Sequence, residues 1–143
     1  MLAQEGDAET ILLSQIYYNK GHALERLGQY EEAIICYDKV LECNPSSDFV
    51  YNNKGNVLHK LGKYEEAIIC YEESLRLDPN DDSDYYNKGN ALRELGTYEE
   101  AIICYDEALR LNPNNDATYN NKQLTLKKLY PNFFKRLRKR YKI

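Results

Sequence analysis

The sequence has no apolar run approaching the roughly 18 residues of a membrane-spanning helix. Its acidic start lacks the basic residues and apolar core of a secretory signal, so the expected location is cytoplasmic. It holds only two histidines, His22 and His59, neither with a fixed acid or thiol partner in the sequence. It also contains no phosphate loop, no HExxH and no GxSxG. Those absences argue against the common hydrolytic and phosphoryl-transfer sites, so no catalytic residue, metal or cofactor is expected. Acidic side chains are missing altogether from residues 117–143, which hold 9 Lys or Arg. Residues 1–116 hold 10 Lys or Arg against all 23 Asp or Glu, a balance of −13 beside the tail's +9. Asymmetry of this kind marks interaction tails.

Cysteine is scarce and periodic. Cys36, Cys70 and Cys104 recur every 34 residues, and Cys43 stands apart. Equivalent points on neighbouring stacked helices are about 8–10 Å apart. A disulfide wants Cα atoms within about 7 Å, and zinc wants sulfurs at about 2.3 Å. The trio is therefore expected to remain as thiols.

What is present is one stretch written three times. EEAIICYD at 31–38 returns as EEAIICYE at 65–72 and as EEAIICYD at 99–106. Gly21, Gly55 and Gly89 share that phase, as do Gly28, Gly62 and Gly96, and Pro45, Pro79 and Pro113. A fixed period of this size belongs to solenoids, whose units bury their apolar faces on one another. In the first unit Ile16, Tyr17, Ala23, Leu24 and Leu27 have helical spacing, and so do Ala33, Ile34, Tyr37, Val40 and Leu41. Gly21 lies within the first helix, where Gly costs about 1 kcal/mol, so close approach by a second helix is expected there. Gly28 suits a left-handed C-cap, and Asn44-Pro45 stops the second helix. Asp7, Asp48 and Asp82 are candidate N-caps. Ile11, Leu12, Leu13 and Ile16 are expected to cover the open end of the stack.

These residues resemble the tetratricopeptide repeat family. The match comprises an aromatic (Tyr17, Tyr51, Tyr85), Gly, Leu, a capping Gly, Tyr, Ala (Ala33, Ala67, Ala101), a second aromatic (Tyr37, Tyr71, Tyr105) and a closing Pro. The resemblance implies an all-α, right-handed solenoid of antiparallel helix hairpins. The expected organisation is an N-terminal extension at 1–13, repeats at 14–47, 48–81 and 82–115, a capping helix at 116–130 and a basic tail at 131–143. In the fourth unit Gln123 replaces the Gly, and Leu124, Leu126 and Leu129 suggest an apolar stripe. The tail joins Phe133, Phe134, Leu137 and Tyr141 to Lys135, Arg136, Arg138, Lys139 and Arg140.

The resemblance also implies function: a non-enzymatic scaffold that holds a peptide or helix segment in a groove lined by the first helices. The groove residues expected here are Tyr18, Asn19, His22, Phe49, Asn52, Asn53, Asn56, Tyr86, Asn87, Asn90 and Asn121. Asn is a poor residue for a helix interior, so its recurrence at 19, 53, 87 and 121 points either to inherited consensus or to amides that serve a ligand's backbone. A clamp for C-terminal carboxylates, known in some relatives, wants cations where this chain has Tyr18, Ser83 and Asn87; of the clamp positions only Asn53 matches. Two alternatives stand beside the groove. One is nucleic-acid or anionic-surface binding by the tail, which competes with docking of the tail on the acidic body. The other is weak homodimerisation through Ile35, Ile69 and Ile103, which fall on the polar side of the second helices and form a stripe. On that alternative the neighbouring cysteines are expected to cross-link chains under oxidation.

Overall fold

The computed structural model describes residues 2–143, with side chains from Gly6 onward. Those residues form helices α1 (Leu2–Arg26), α2 (Tyr30–Cys43), α3 (Asp48–Lys60), α4 (Tyr64–Leu77), α5 (Asp82–Glu94), α6 (Tyr98–Leu111), α7 (Asp116–Leu129) and α8 (Pro131–Tyr141), and no strand. The chain divides into two compact units, Met1–Pro79 with α1 to α4 and Asn80–Ile143 with α5 to α8.

The first unit is two antiparallel hairpins, α1–α2 and α3–α4, joined by packing of α2 on α3. Each hairpin turns on a glycine in the left-handed region, Gly28 at φ +77° and Gly62 at +75°. The next residue's amide then reaches back into the helix, from Gln29 to the Leu24 carbonyl and from Lys63 to that of Leu58, both at 2.9 Å. These bonds satisfy carbonyls that the helix end would otherwise orphan. Ala33, Tyr37, Val40, Val50 and Val57 form the core. Tyr37 and Tyr71 are buried against the glycines expected to mark a close approach. A Cβ on Gly21 would lie 3.0 Å from the Tyr37 ring, and one on Gly55 only 2.6 Å from that of Tyr71. The intruder is thus a tyrosine ring from the partner helix of the same hairpin.

The second unit repeats the device. Gly96 sits at φ +80°, and a Cβ on Gly89 would meet the Tyr105 ring at 2.7 Å. Packing of α6 on α7 extends it, whereas α8 touches α7 only lightly and buries no residue. The departure at Gln123 has its physical reason in the following helix. Lys139 stands 34 residues after Tyr105, so no buried ring needs a glycine to rest on.

Several sequence expectations need correcting. Asp7 lies inside α1 and caps nothing, because that helix already begins at Leu2. Asp48 and Asp82 are first helical residues; the N-cap positions are Ser47, which makes no side-chain cap bond, and Asp81, whose carboxylate accepts from the Ser83 and Asp84 amides. Ile11, Leu12, Leu13 and Ile16 are exposed. Leu124 is exposed too; α7 instead buries Thr118 and Thr125, the latter donating to the Asn121 carbonyl at 2.7 Å.

Candidate peptide-binding groove

The expected groove residues lie on the first helices of the hairpins, α1, α3, α5 and α7. In the first unit they assemble around Tyr18. Its ring stacks over His22 (centroids 6.4 Å, 6° between planes), meets Phe49 edge-on at 5.3 Å and tilts against the buried Tyr37 at 6.2 Å. The Asn53 side-chain amide donates to the Tyr18 hydroxyl at 3.1 Å, linking α3 to α1. The same pairing recurs in the second unit, where the Asn121 amide donates to the Tyr86 hydroxyl at 3.1 Å and Tyr86 tilts against Tyr105 at 6.3 Å. An interval of 35 residues separates the partners both times. This is one residue more than the period, as expected for side chains reaching back from one repeat to the one before.

The remaining asparagines have structural duties as well. Asn56 accepts from the Tyr71 hydroxyl at 2.9 Å, and Asn90 from the Tyr105 hydroxyl at 2.7 Å. Asn56 also donates to Asn52, and Asn121 to Asn90. In the first repeat exposed His22 occupies the corresponding place, and the Tyr37 hydroxyl turns to Glu25 at 2.9 Å. Glu25 in turn accepts from Lys60 at 2.9 Å. Glu25 escaped the sequence reading because a lone acid on a helix carries no spacing signal. Burial of the phenol, together with the Glu25 bond and charge, holds Tyr37 well above the usual tyrosine range. Burial likewise pushes Tyr105 up to about 12. Both rings are therefore neutral hydrogen-bond donors at physiological pH.

Asn19 is exposed and accepts from Gln15. Asn52, Asn53, Asn56, Tyr86, Asn87, Asn90 and Asn121 are half-buried, which leaves atoms of each in reach of solvent. Phe49 keeps 53% of its surface exposed although it touches Tyr18. Beside it a cavity of about 290 Å³ opens between α1, the end of α2 and the start of α3, lined by Ile11, Gln15, Tyr18, Val40 and Phe49 among others. The clamp positions Tyr18, His22, Asn53, Ser83 and Asn87 offer no Lys or Arg.

The remaining candidate surfaces sit elsewhere. Ile35, Ile69 and Ile103 are 60%, 60% and 63% exposed. The neighbouring cysteines are not: Cys36, Cys70 and Cys104 are buried, and burial raises the Cys70 thiol to about 11. Burial of all three argues against cross-linking between chains through these cysteines, since a covered thiol is poorly accessible to a second chain. In the tail, none of Lys135, Arg136, Arg138, Lys139 and Arg140 enters an ion pair among the described residues. Among the described residues no group of His, Cys, Asp or Glu could hold a metal ion, and no helix is long and apolar enough to cross a membrane.

The tetratricopeptide repeat family matches at residues 14–47, 49–81 and 84–115. The chain belongs to that family, whose fold is a helical solenoid devoted to protein interaction. Among solved structures it is similar to the first such domain of Spaghetti (RPAP3) bound to the HSP90 peptide SRMEEVD, with 27% identity, a TM-score of 0.79, and coverage of 81% of this chain and 92% of that one. It is also similar to the first domain of human RPAP3 (26% identity, TM-score 0.79, covering 83% and 94%). A third similar structure is MamA from Desulfovibrio magneticus RS-1 (28% identity, TM-score 0.75), of which this chain covers 63% while matching over 78% of its own length. No curated protein matches it.

Proposed function

We propose that this protein is a non-enzymatic scaffold that holds an extended peptide or a helix on the first-helix face, without a clamp for an acidic C-terminus. The observation that carries the reading is the exposed Phe49 ring, set edge-on against Tyr18; both line a cavity of about 290 Å³, and the Asn53 amide donates to the Tyr18 hydroxyl. An apolar anchor flanked by a few fixed polar groups is the usual build of a recognition pocket. A peptide's apolar side chain enters the cavity, and groove amides such as that of Asn53 meet its backbone. Spaghetti binds a peptide ending in EEVD; without Lys or Arg at the clamp positions, this chain is expected to select a segment lacking that anionic end.

A displayed random-peptide library, panned on the whole protein, supplies the probe. Losing a desolvated hydrogen bond costs about 1–3 kcal/mol, so Asn53→Ala with Asn87→Ala is expected to weaken a selected peptide at least tenfold at unchanged helicity. Phe49→Ala is expected to do the same, and SRMEEVD to bind no better than a scrambled control. Unchanged affinity in both variants would place the ligand on another face.

A second reading is weak self-association through Ile35, Ile69 and Ile103, favoured by their exposure of 60% or more.

A further inference from the structure

Helix α8 is the element that the repeats leave without a packing role. It begins at Pro131, which suits the first helical turn, and none of its residues is buried. At 100° per residue, Phe133, Leu137, Tyr141 and Phe134 fall within an arc of about 100°. Arg140 and Arg138 stand about 20° and 40° outside the two edges of that arc, while Lys135, Lys139 and Arg136 occupy the opposite side. Phe133 and Tyr141 are 58% and 59% exposed.

We propose that α8 is an interfacial anchor that lies on a membrane surface carrying anionic lipid headgroups. An apolar arc bordered by arginines and backed by lysines is the layout of helices that sink their apolar face to the boundary of headgroups and acyl chains. Arg138 and Arg140 have long apolar stems that let their guanidinium groups rise to the phosphates while the arc is immersed. The charge is complementary: five cations and no acid in an 11-residue helix, with no internal ion pair. Single-stranded nucleic acid would satisfy the cations, but it binds by stacking bases on open aromatic faces. Here Phe133 and Phe134 meet edge-on at 86°, Arg140 lies over the Tyr141 ring at 5.6 Å, and aliphatic Leu137 holds the middle of the arc. A bilayer accepts that mixture, because it asks only for apolar area. On the function proposed above, the anchor would carry the peptide-binding scaffold to the membrane.

The test is sedimentation of the full chain with vesicles of phosphatidylcholine alone or with about a third phosphatidylserine. Binding is expected only with phosphatidylserine and is expected to weaken as salt rises, because surface charges are screened. Lys135→Gln, Arg136→Gln and Lys139→Gln together should lower partitioning about a hundredfold, since each cation near an anionic surface contributes roughly a factor of five. Phe133→Ser with Leu137→Ser should lower it at least tenfold. Because no residue of α8 is fully buried, the charge variant should keep the parent's thermal melt, and the Phe133→Ser, Leu137→Ser variant, which touches the half-buried Leu137, should lower it only slightly, which verifies that loss of binding is local. Equal partitioning to both vesicle types, or to neither at low salt, would overturn the proposal. So would a tail-dependent RNA complex or dimer in a chain that ignores vesicles.

Discussion

Gly55 lies directly under a buried tyrosine ring. The Tyr71 ring occupies the space in which every other residue would keep its Cβ, 2.6 Å from that position. Substitution by Ala forces the ring or the helix to shift, and overpacking of a filled core costs about 1–3 kcal/mol. Gly62 is constrained differently: nothing lies within 4 Å of its Cβ position, but its φ of +75° strains an L-residue. Gly55→Ala is therefore expected to lower stability by about 1–3 kcal/mol and Gly62→Ala by about 1 kcal/mol. A further Tyr71→Leu change should recover part of the Gly55→Ala loss, by removing the ring, and none of the Gly62→Ala loss. Urea denaturation of the four chains measures this; recovery in both backgrounds would show that ring contact is not the cause. At this scale the sequence exposed the positions but not the chemistry. Period and phase singled out Gly55, but the tyrosine against it is 16 residues away on another helix, and only the crossing of the two helices brings them together.

Helices were legible because period, capping glycines and closing prolines agree with one another over three copies. Their first residues were less legible. Ser47, Asp81 and Asn115 occupy the same N-cap position before α3, α5 and α7, yet only Asp81 and Asn115 accept backbone amides there. Asp48 and Asp82 looked equally suitable in the sequence, since an acid in the first turn and an acid at the cap differ by a single position. The groove asparagines were legible as a ladder for the same reason that they were incompletely understood. Spacing puts Asn53 and Asn121 at one phase of the repeat and Asn90 three residues on from that phase, but the tyrosine hydroxyls that engage them come from neighbouring helices. The capping difference is testable. Asp81→Ala removes bonds of 2.8 and 3.3 Å to the Ser83 and Asp84 amides and is expected to cost about 1 kcal/mol. Ser47→Ala loses no cap bond of this kind; because Ser47 is buried, Ala should fit its space and cost less. Thermal melts of the two variants should separate by a few degrees, and equal midpoints would deny the cap its role.

For the whole molecule, the open question of physical interest is whether two chains meet through the outer isoleucines. Ile35 and Ile69 in the first unit and Ile103 in the second each keep about three-fifths of their surface in water. A two-fold contact of the first unit would bring the same face of both chains together and so gather four such side chains, Ile35 and Ile69 of each. Full burial of an isoleucine contributes about 1.5–3 kcal/mol, so four contribute on the order of 6–12 kcal/mol at most, and less here because each is already partly covered. Association costs roughly 4–15 kcal/mol before any net affinity remains. The two ranges overlap, which predicts a weak, concentration-dependent dimer. Oxidation should not trap it, because Cys36, Cys70 and Cys104 are covered in the chain itself. Sedimentation equilibrium up to millimolar protein is expected to show a rising mass for the parent and a constant monomer mass for the chain carrying Ile35→Glu, Ile69→Glu and Ile103→Glu. The exposed positions predict little loss of stability in that variant, so a matching melt accompanies the measurement. Identical monomer masses for both chains at the highest concentration would mean that the isoleucines are simply solvated, as isolated exposed apolar residues commonly are.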